Sequence, residues 1–185
     1  MSFNLEPNAT CLTSLLKSAR TLNGVPEEPQ WLNDREREAW LALASLMFKL
    51  PGALDAQLLR DSDLTLFEYF VLSGLSMAPG RALRLSDLAG QVSSSLSRLS
   101  NVVKRLERRG LLCREPDPES PRYTRALLTD AGWNLVVAAA PGHVAAVRRY
   151  VVDGLTGEQI TVLREVACHV TERVKEAAAE ESRRH

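Results

Sequence analysis

The chain of 185 residues is 45% hydrophobic and 25% charged, enough apolar material for one good core and far from the composition of a disordered chain. Its formal net charge is zero, so bulk charge points to neither nucleic acid nor membrane, and only the local distribution informs. Three cysteines, Cys11, Cys113 and Cys168, lack metal-type spacing, which argues against a disulfide framework and fits a reducing cytoplasm. No signal peptide stands out, and the longest apolar runs, near 40–50 and 135–140, fall short of the roughly 20 residues of a membrane span.

Residues 1–33 read as an amino-terminal extension: Leu12, Leu15 and Leu16 suit one or two helical turns, and GVPEEPQ reads as a linker. The extension is expected to be an accessory or partly disordered, flexible arm, or else a helix that packs on a partner subunit. Asn33 or Asp34 can cap a first long helix with Glu36 in its first turn, and Trp40, Leu43, Leu46, Met47 and Leu50 give it one apolar face. Pro51-Gly52 is expected to kink or interrupt this helix, with residues 53–59 continuing it. Thr65 can cap a second helix carrying Leu66, Tyr69, Phe70, Leu72 and Leu75, stopped by Pro79-Gly80.

The stretch 85–128 is where charge, capping and periodicity agree. Leu85, Leu88, Ala89 and Val92 form the apolar side of a short helix capped by Ser86 or its neighbour. After a serine-rich turn, Leu96, Leu99, Val102, Val103 and Leu106 fall on one side of the next helix, with Ser97, Asn101, Lys104 and Arg108 opposite and Arg98 and Arg105 flanking. From Arg81 to Arg125 ten Lys or Arg stand against five Asp or Glu, so basic charge concentrates here. Ser94, Ser95, Ser97, Arg98 and Asn101 are placed for base edges or nearby phosphates, and Lys104, Arg105 and Arg108 for the phosphate backbone. The plainer alternative is a solvated basic face. The neighbouring residues weigh against it: LLCRE (111–115) and YTRALL (123–128) read as two strands around a turn-prone PDPESPR tip, and a hairpin after a basic helix is a winged helix-turn-helix arrangement. Arg122 near that tip is placed for a minor groove, whose negative potential attracts arginine.

These pieces resemble a known family. LTLFEYFVLSGLSMAPGRALRLSDLAGQV, SLSRLSNVVKRLERRGLL, and REPDPE with LLTDAG resemble, in order and spacing over roughly 34–175, the MarR family of bacterial transcriptional regulators. SLSRLS with LTDAGW and APGHV is similar to an actinobacterial branch of it. The resemblance implies a homodimer of winged-helix subunits on a pseudo-palindromic operator, usually a repressor released by a small aromatic ligand or by oxidation. It also implies a ligand site between the dimerisation helices and the winged domain, where Trp40, Met47, Phe70 and Trp133 would meet; each reads first as core and only second as a ligand contact. The family wing commonly carries an aspartate two residues before the arginine matching Arg122, and here that position is Ser120.

After the wing, Thr129 can cap a helix with Asp130 in its first turn, carrying Trp133, Val136, Val137 and Ala140 until Pro141-Gly142 bends it. Thr156 with Glu158 or Gln159 opens a last helix in a capping-box pattern, and Ile160, Leu163, Val166, Ala167, Val170 and Val174 run along it. Apolar stripes on the first and last long helices exceed what one small domain covers, and a two-fold dimer would use them. The expected architecture is mainly α with a small β-hairpin wing: a winged helix-turn-helix domain at 63–128 and a helical dimerisation region at 34–62 and 129–181.

His143, His169 and His185 are too scattered for a metal site, and no phosphate loop, nucleophile elbow or HExxH motif appears, so neither cofactor nor enzyme activity is expected. Cys113 reads as a small buried hydrophobe, and Cys11 is the better redox candidate. The leading function is a dimeric DNA-binding repressor released by a small molecule. A redox-sensing regulator using Cys11, and a protein-interaction module that keeps the fold without binding DNA, are the alternatives.

Overall fold

The computed structural model describes residues 29–184. Asn33 opens the first helix, α1 (Asp34–Ser62): its Oδ1 accepts the Glu36 N–H at 3.0 Å while its own N–H donates to Glu36 Oε2 at 2.9 Å. The chain divides into two compact units after Leu41. In the first, the described residues are this helix start and its approach, with Trp31, Leu32, Trp40 and Leu41 exposed.

The second unit carries the remaining elements. Of the kink or interruption expected at Pro51-Gly52, the interruption does not occur: the helix runs continuously through Pro51. Proline removes a single helical N–H, and both residues are exposed, so solvent is at hand for the carbonyl left without its donor. α2 (Leu66–Met77) begins at Thr65 with a full capping box: Thr65 Oγ1 accepts the Glu68 N–H at 3.2 Å and the Thr65 N–H donates to Glu68 Oε2 at 2.8 Å. Asp55 of α1 accepts the Leu66 N–H at 2.8 Å, so one helix terminates the donors of the next.

A 3₁₀ turn at Pro79–Arg81, with Gly80 in the left-handed region at φ 61°, leads into a strand that sequence reading did not anticipate, β1 (Ala82–Arg84). α3 (Leu85–Gln91) starts directly after it. Ser86 is not its cap: no side chain caps this end, and the Ser86 hydroxyl turns to Asp87 Oδ1 at 3.2 Å. α4 (Leu96–Arg108), β2 (Leu112–Pro116) and β3 (Thr124–Leu128) come next. The expected hairpin is therefore part of a three-stranded antiparallel sheet in the order β1-β3-β2, with Ala126 opposite both Leu83 and Arg114.

Thr129 caps α5 (Asp130–Val147) by accepting the Gly132 N–H at 3.1 Å. The helix passes through Pro141 and continues into a π-helical turn, Arg148–Val152. Thr156 and Gln159 form the anticipated reciprocal cap of α6 (Gly157–Arg184). Because α1 and the Asp130–Val152 stretch do not stop at their prolines, both are long and apolar enough to cross a membrane by length and composition, against the expectation of runs too short.

One apolar cluster joins these parts: Leu58 and Leu64, Leu72 and Leu75 of α2, Leu88 of α3, Leu99, Val103 and Leu106 of α4, Leu112 and Leu128 of the sheet and Val136 of α5. Each buried Leu or Val contributes roughly 1.5–3 kcal/mol. Two surfaces stay outside it. Leu43, Leu46, Met47 and Phe48 of α1 are exposed, and along α6 so are Ile160, Val162, Leu163, Val166, Val170 and Val174.

The junction of α5 with the sheet is tight. A Cβ on Gly132 would stand 2.0 Å from the Leu111 carbonyl oxygen and 2.7 Å from Leu128 Cδ1, both of the winged part. Gly132→Ala is expected to lower unfolding free energy by on the order of 3 kcal/mol in urea denaturation. Gly52→Ala, which meets nothing within 4 Å, should leave stability equal or raise it by about 1 kcal/mol.

Candidate nucleic-acid interface

Among the described helices α4 has a sharply divided surface. Ser95 caps it, its Oγ accepting the Arg98 N–H at 3.3 Å, and Leu99, Val102, Val103 and Leu106 lie buried on the core side. Leu96, grouped with them by periodicity, is instead 56% exposed, because the first turn projects beyond the core. On the outer side Ser97, Arg98, Asn101, Lys104 and Arg108 are exposed, with Ser95 exposed and Ser94 half-buried at the approach.

The helix is held against α2 by a charged contact. Glu68, 3% exposed, receives Arg105 Nε on Oε1 at 2.7 Å, and the Arg109 guanidinium lies 3.9 Å from the same oxygen. Burial pushes the Glu68 carboxyl up, but the Thr65 N–H, Arg105 and the Thr65 hydroxyl outweigh it and hold the group below its ordinary value. Arg105 thus lends its Nε to anchoring the helix, with its side chain still 48% exposed.

The same sorting applies to the other cations. Of the ten Lys and Arg from Arg81 to Arg125, six pair with carboxylates: Arg81 with Asp130, Arg84 with Asp117, Arg105 with Glu68, Arg109 with Asp63, Arg114 with Glu107 and Arg125 with Glu115. Arg98, Lys104, Arg108 and Arg122 have no such pairing among the described residues. Arg108 makes one long bond to the Lys104 carbonyl, 3.4 Å, and the Arg98 guanidinium lies 4.8 Å from the Phe67 ring centroid. The unpaired positive charge therefore lies along α4 and at the wing turn.

That turn is organised around Asp117. Its carboxylate accepts Arg84 Nε at 2.7 Å and the Glu119 and Ser120 N–H groups at 2.9 and 3.1 Å. The Arg84 bond, opposed by desolvation and joined by the two backbone donors, lowers its pKa from 3.8 to about 2. Arg122 stands exposed on the same turn.

Of the four positions expected around a ligand, Trp40 lies in the first unit and Met47, Phe70 and Trp133 in the second. Phe70 lines a cleft of about 410 Å³ with Pro51, Gly52, Asp55, Leu66, Phe67 and Arg98. Met47 is exposed on α1 and does not line it, Trp133 lies under the Arg81 guanidinium at 4.1 Å, and Trp40 is exposed in the first unit. Cys11 and the helix expected around Leu12, Leu15 and Leu16 lie outside the described residues. Sequence reading missed Glu68, Arg84 and Asp117. The Thr65-x-x-Glu68 capping box was a visible signal for the first, whereas Arg84 and Asp117 meet across 33 positions that no local pattern links.

A capped recognition-type helix whose inner face is buried, preceded by α2 and α3 and followed by a three-stranded sheet with a projecting turn, is a winged helix-turn-helix DNA-binding domain. A family model described as MarR family matches residues 64–124. A MarR family transcriptional regulator from Streptomyces coelicolor, solved in complex with DNA, is 40% identical with a TM-score of 0.76, over 79% of this chain and 91% of that one. AbsC, a MarR family transcriptional regulator from the same organism, is 34% identical with a TM-score of 0.76, over 80% and 99%. CouR from Rhodococcus jostii, solved bound to p-coumaroyl-CoA, shares the fold at 24% identity and a TM-score of 0.64, over 76% and 94%. No curated protein matches the sequence. The chain belongs to the MarR family of transcriptional regulators, DNA-binding proteins that are dimeric and in general not enzymes.

Glu68→Gln removes the charge that anchors Arg105 and weakens the α2 cap. Unfolding free energy should fall by about 2 kcal/mol in denaturant titrations. Asp117 gives a pH signature. Its folded pKa lies below the ordinary value, so its stabilisation is complete above about pH 5 and is lost as pH falls through 4 towards 2. Wild type should be more stable than Asp117→Asn at neutral pH, with thermal unfolding showing the gap narrow across that acid window.

Proposed function

We propose that the protein is a repressor that binds a pseudo-palindromic operator as a homodimer in the cytoplasm and is released by a small aromatic ligand. The observation that carries this reading is α4, where four buried apolar side chains fix the helix while Ser97, Asn101, Lys104 and Arg108 face outward without carboxylate partners among the described residues. In this reading residues 63–128 bind DNA, and 34–62 with 129–181 pair the two copies. The exposed apolar surfaces of α1 and α6 support a second copy as their cover. Two-fold pairing would set the recognition helices about one DNA turn, roughly 34 Å, apart.

Ser94, Ser97, Arg98 and Asn101 serve as readers of base edges, with Ser95 presenting the amino-terminal N–H groups towards a phosphate. Lys104 and Arg108 neutralise phosphates. Arg105 contributes first as the anchor of the helix and only through its exposed part as a cation. Arg122 reaches from the wing towards a minor groove. No residue in this arrangement is assigned a catalytic role.

The cleft beside Phe70 supports the ligand part. Its walls are mostly apolar and aromatic, with one carboxylate, Asp55, whose Oδ1 is engaged by the Leu66 N–H, and Arg98 offers a charge to an anionic group. Arg98 would then serve ligand and DNA alternately, which makes the two binding events antagonistic. The thiol-switch alternative rests on Cys11, which has no described surroundings to support it.

A selection of bound duplexes from random DNA, followed by anisotropy titrations at several salt concentrations, tests the assignment. Lys104→Ala and Arg108→Ala should weaken selected and random duplexes alike and reduce the salt slope by about 0.9 for each phosphate no longer neutralised. Asn101→Ala should cost about 1–3 kcal/mol on the selected duplex and blur its preference over random DNA. Equal losses on both duplexes for every variant would remove the base readers from the proposal.

A further inference from the structure

We infer that Arg84 is the positioning residue of the wing: from the end of β1 it grips the 117–123 turn and thereby aims Arg122 at DNA. The inference rests on the reading that Arg122 contacts DNA, and concerns what holds that side chain in place.

The turn has little else to fix it. β2 ends at Pro116 and β3 begins at Thr124, so ladder pairing stops before the tip. Within the tip, Asp117 collects the backbone: besides taking the Glu119 and Ser120 N–H groups on its carboxylate, it donates its own N–H to the Tyr123 carbonyl at 2.9 Å. The Tyr123 N–H in turn donates to the Ser120 carbonyl at 3.0 Å, closing the loop on both sides of Arg122. Asp117 is 6% exposed, and a carboxylate at that depth needs a cation.

Arg84 supplies it with more than one bond. Its Nε and one terminal nitrogen take both oxygens of Asp117, at 2.7 and 3.2 Å, and the same terminal nitrogen donates to Glu119 Oε2 at 2.9 Å. Its guanidinium also lies 5.2 Å from the Tyr123 ring centroid. A planar fork with two acceptors on one carboxylate defines an orientation, which a point charge does not. One side chain from the far edge strand thus holds residues on both flanks of Arg122. Ser120, two residues before Arg122, carries no charge, and Arg122 has no side-chain partner among the described residues.

Aim has a value of its own here. An arginine that must be ordered on binding loses conformational freedom at that moment, whereas one presented by a fixed turn does not. Narrow A·T-rich minor grooves attract arginine most strongly, so a fixed wing also reads the sequence flanking the major-groove contacts. Arg84 itself never touches DNA; it acts through Arg122.

The test uses full-length protein and the duplex obtained from the random-DNA selection, with either A·T or G·C flanks outside the α4 contacts. Arg122→Ala should weaken binding about tenfold on A·T flanks and erase the flank preference. Arg84→Met should reproduce both effects, Arg84→Lys should fall between, and adding Arg84→Met to Arg122→Ala should cost little more. Asp117→Asn is the second variant, breaking the ion pair from the other side, and it should behave as Arg84→Met does. Thermal unfolding of each variant separates loss of fold from loss of aim. Should Arg84→Met weaken binding by the same factor with and without Arg122, the residue acts on the whole domain or on DNA directly, and the inference fails while the wing contact stands. No effect of Arg122→Ala would overturn the wing reading and this inference together.

Discussion

Glu68 is the contact on which the DNA-binding face depends. It is a carboxylate taken almost entirely out of water, a placement that costs several kcal/mol unless every oxygen is served. The structure serves one oxygen with the N–H and hydroxyl of Thr65 and the other with Arg105. These bonds have different consequences. The Thr65 contacts start α2, and the Arg105 contact fixes α4 at one rotation and one depth against it. Apolar packing alone tolerates small slips of a helix, because Leu and Val side chains meet in several similar ways. A charge that must find its partner does not, so the pair specifies where Ser97 and Asn101 point.

The arginines around it follow a division of labour that net charge conceals. Six cations between Arg81 and Arg125 are consumed by pairs within the protein, several of them exposed pairs worth little in stability. Their contribution is spatial. Each pair neutralises an arginine within the fold, so the remaining positive potential of this stretch comes mainly from α4 and the wing turn. A protein with zero formal net charge can in this way present a cationic surface to one polyanion. The arrangement also explains why the same residue type does different work at neighbouring positions: Arg105 and Arg109 hold the helix, and Lys104 and Arg108 look outward from it.

Much of the fold was legible because it is written locally. The face of α4 repeats at helical spacing, Thr65 and Thr129 stand where caps belong, and the Thr156 to Gln159 box announces α6. The strands on either side of PDPESPR likewise stood out as a hairpin. What escaped were features decided by distant partners. β1 is three residues long and exists because β3 offers a free edge. Leu96 carries the right residue for a buried position but falls on a turn that overhangs the core. Pro51 has the local signature of a helix break, yet the apolar contacts of Leu54 and Leu58 on its far side keep the helix going. For the site, residue types and face were readable on α4, but the partners that decide which arginines remain available, Glu68 and Asp117, lie dozens of residues from the cations they hold.

Arg98 lies between the two surfaces of the proposed function. It leaves the first turn of α4, the part of a recognition helix nearest the bases, and its guanidinium lies over Phe67 at the edge of the cleft that Phe70 lines. A cation resting on an aromatic face is held by on the order of 1 kcal/mol, weak enough for either a phosphate or a ligand carboxylate to recruit it. In the proposed scheme one guanidinium cannot serve both, so each binding event would weaken the other by the same factor. No movement of whole domains is needed for that minimum of coupling. In that scheme a larger response has two further links to use, the Glu68–Arg105 contact and the apolar core of Leu72, Leu75, Leu99 and Leu106, both of which join α2 on one side of the cleft to α4.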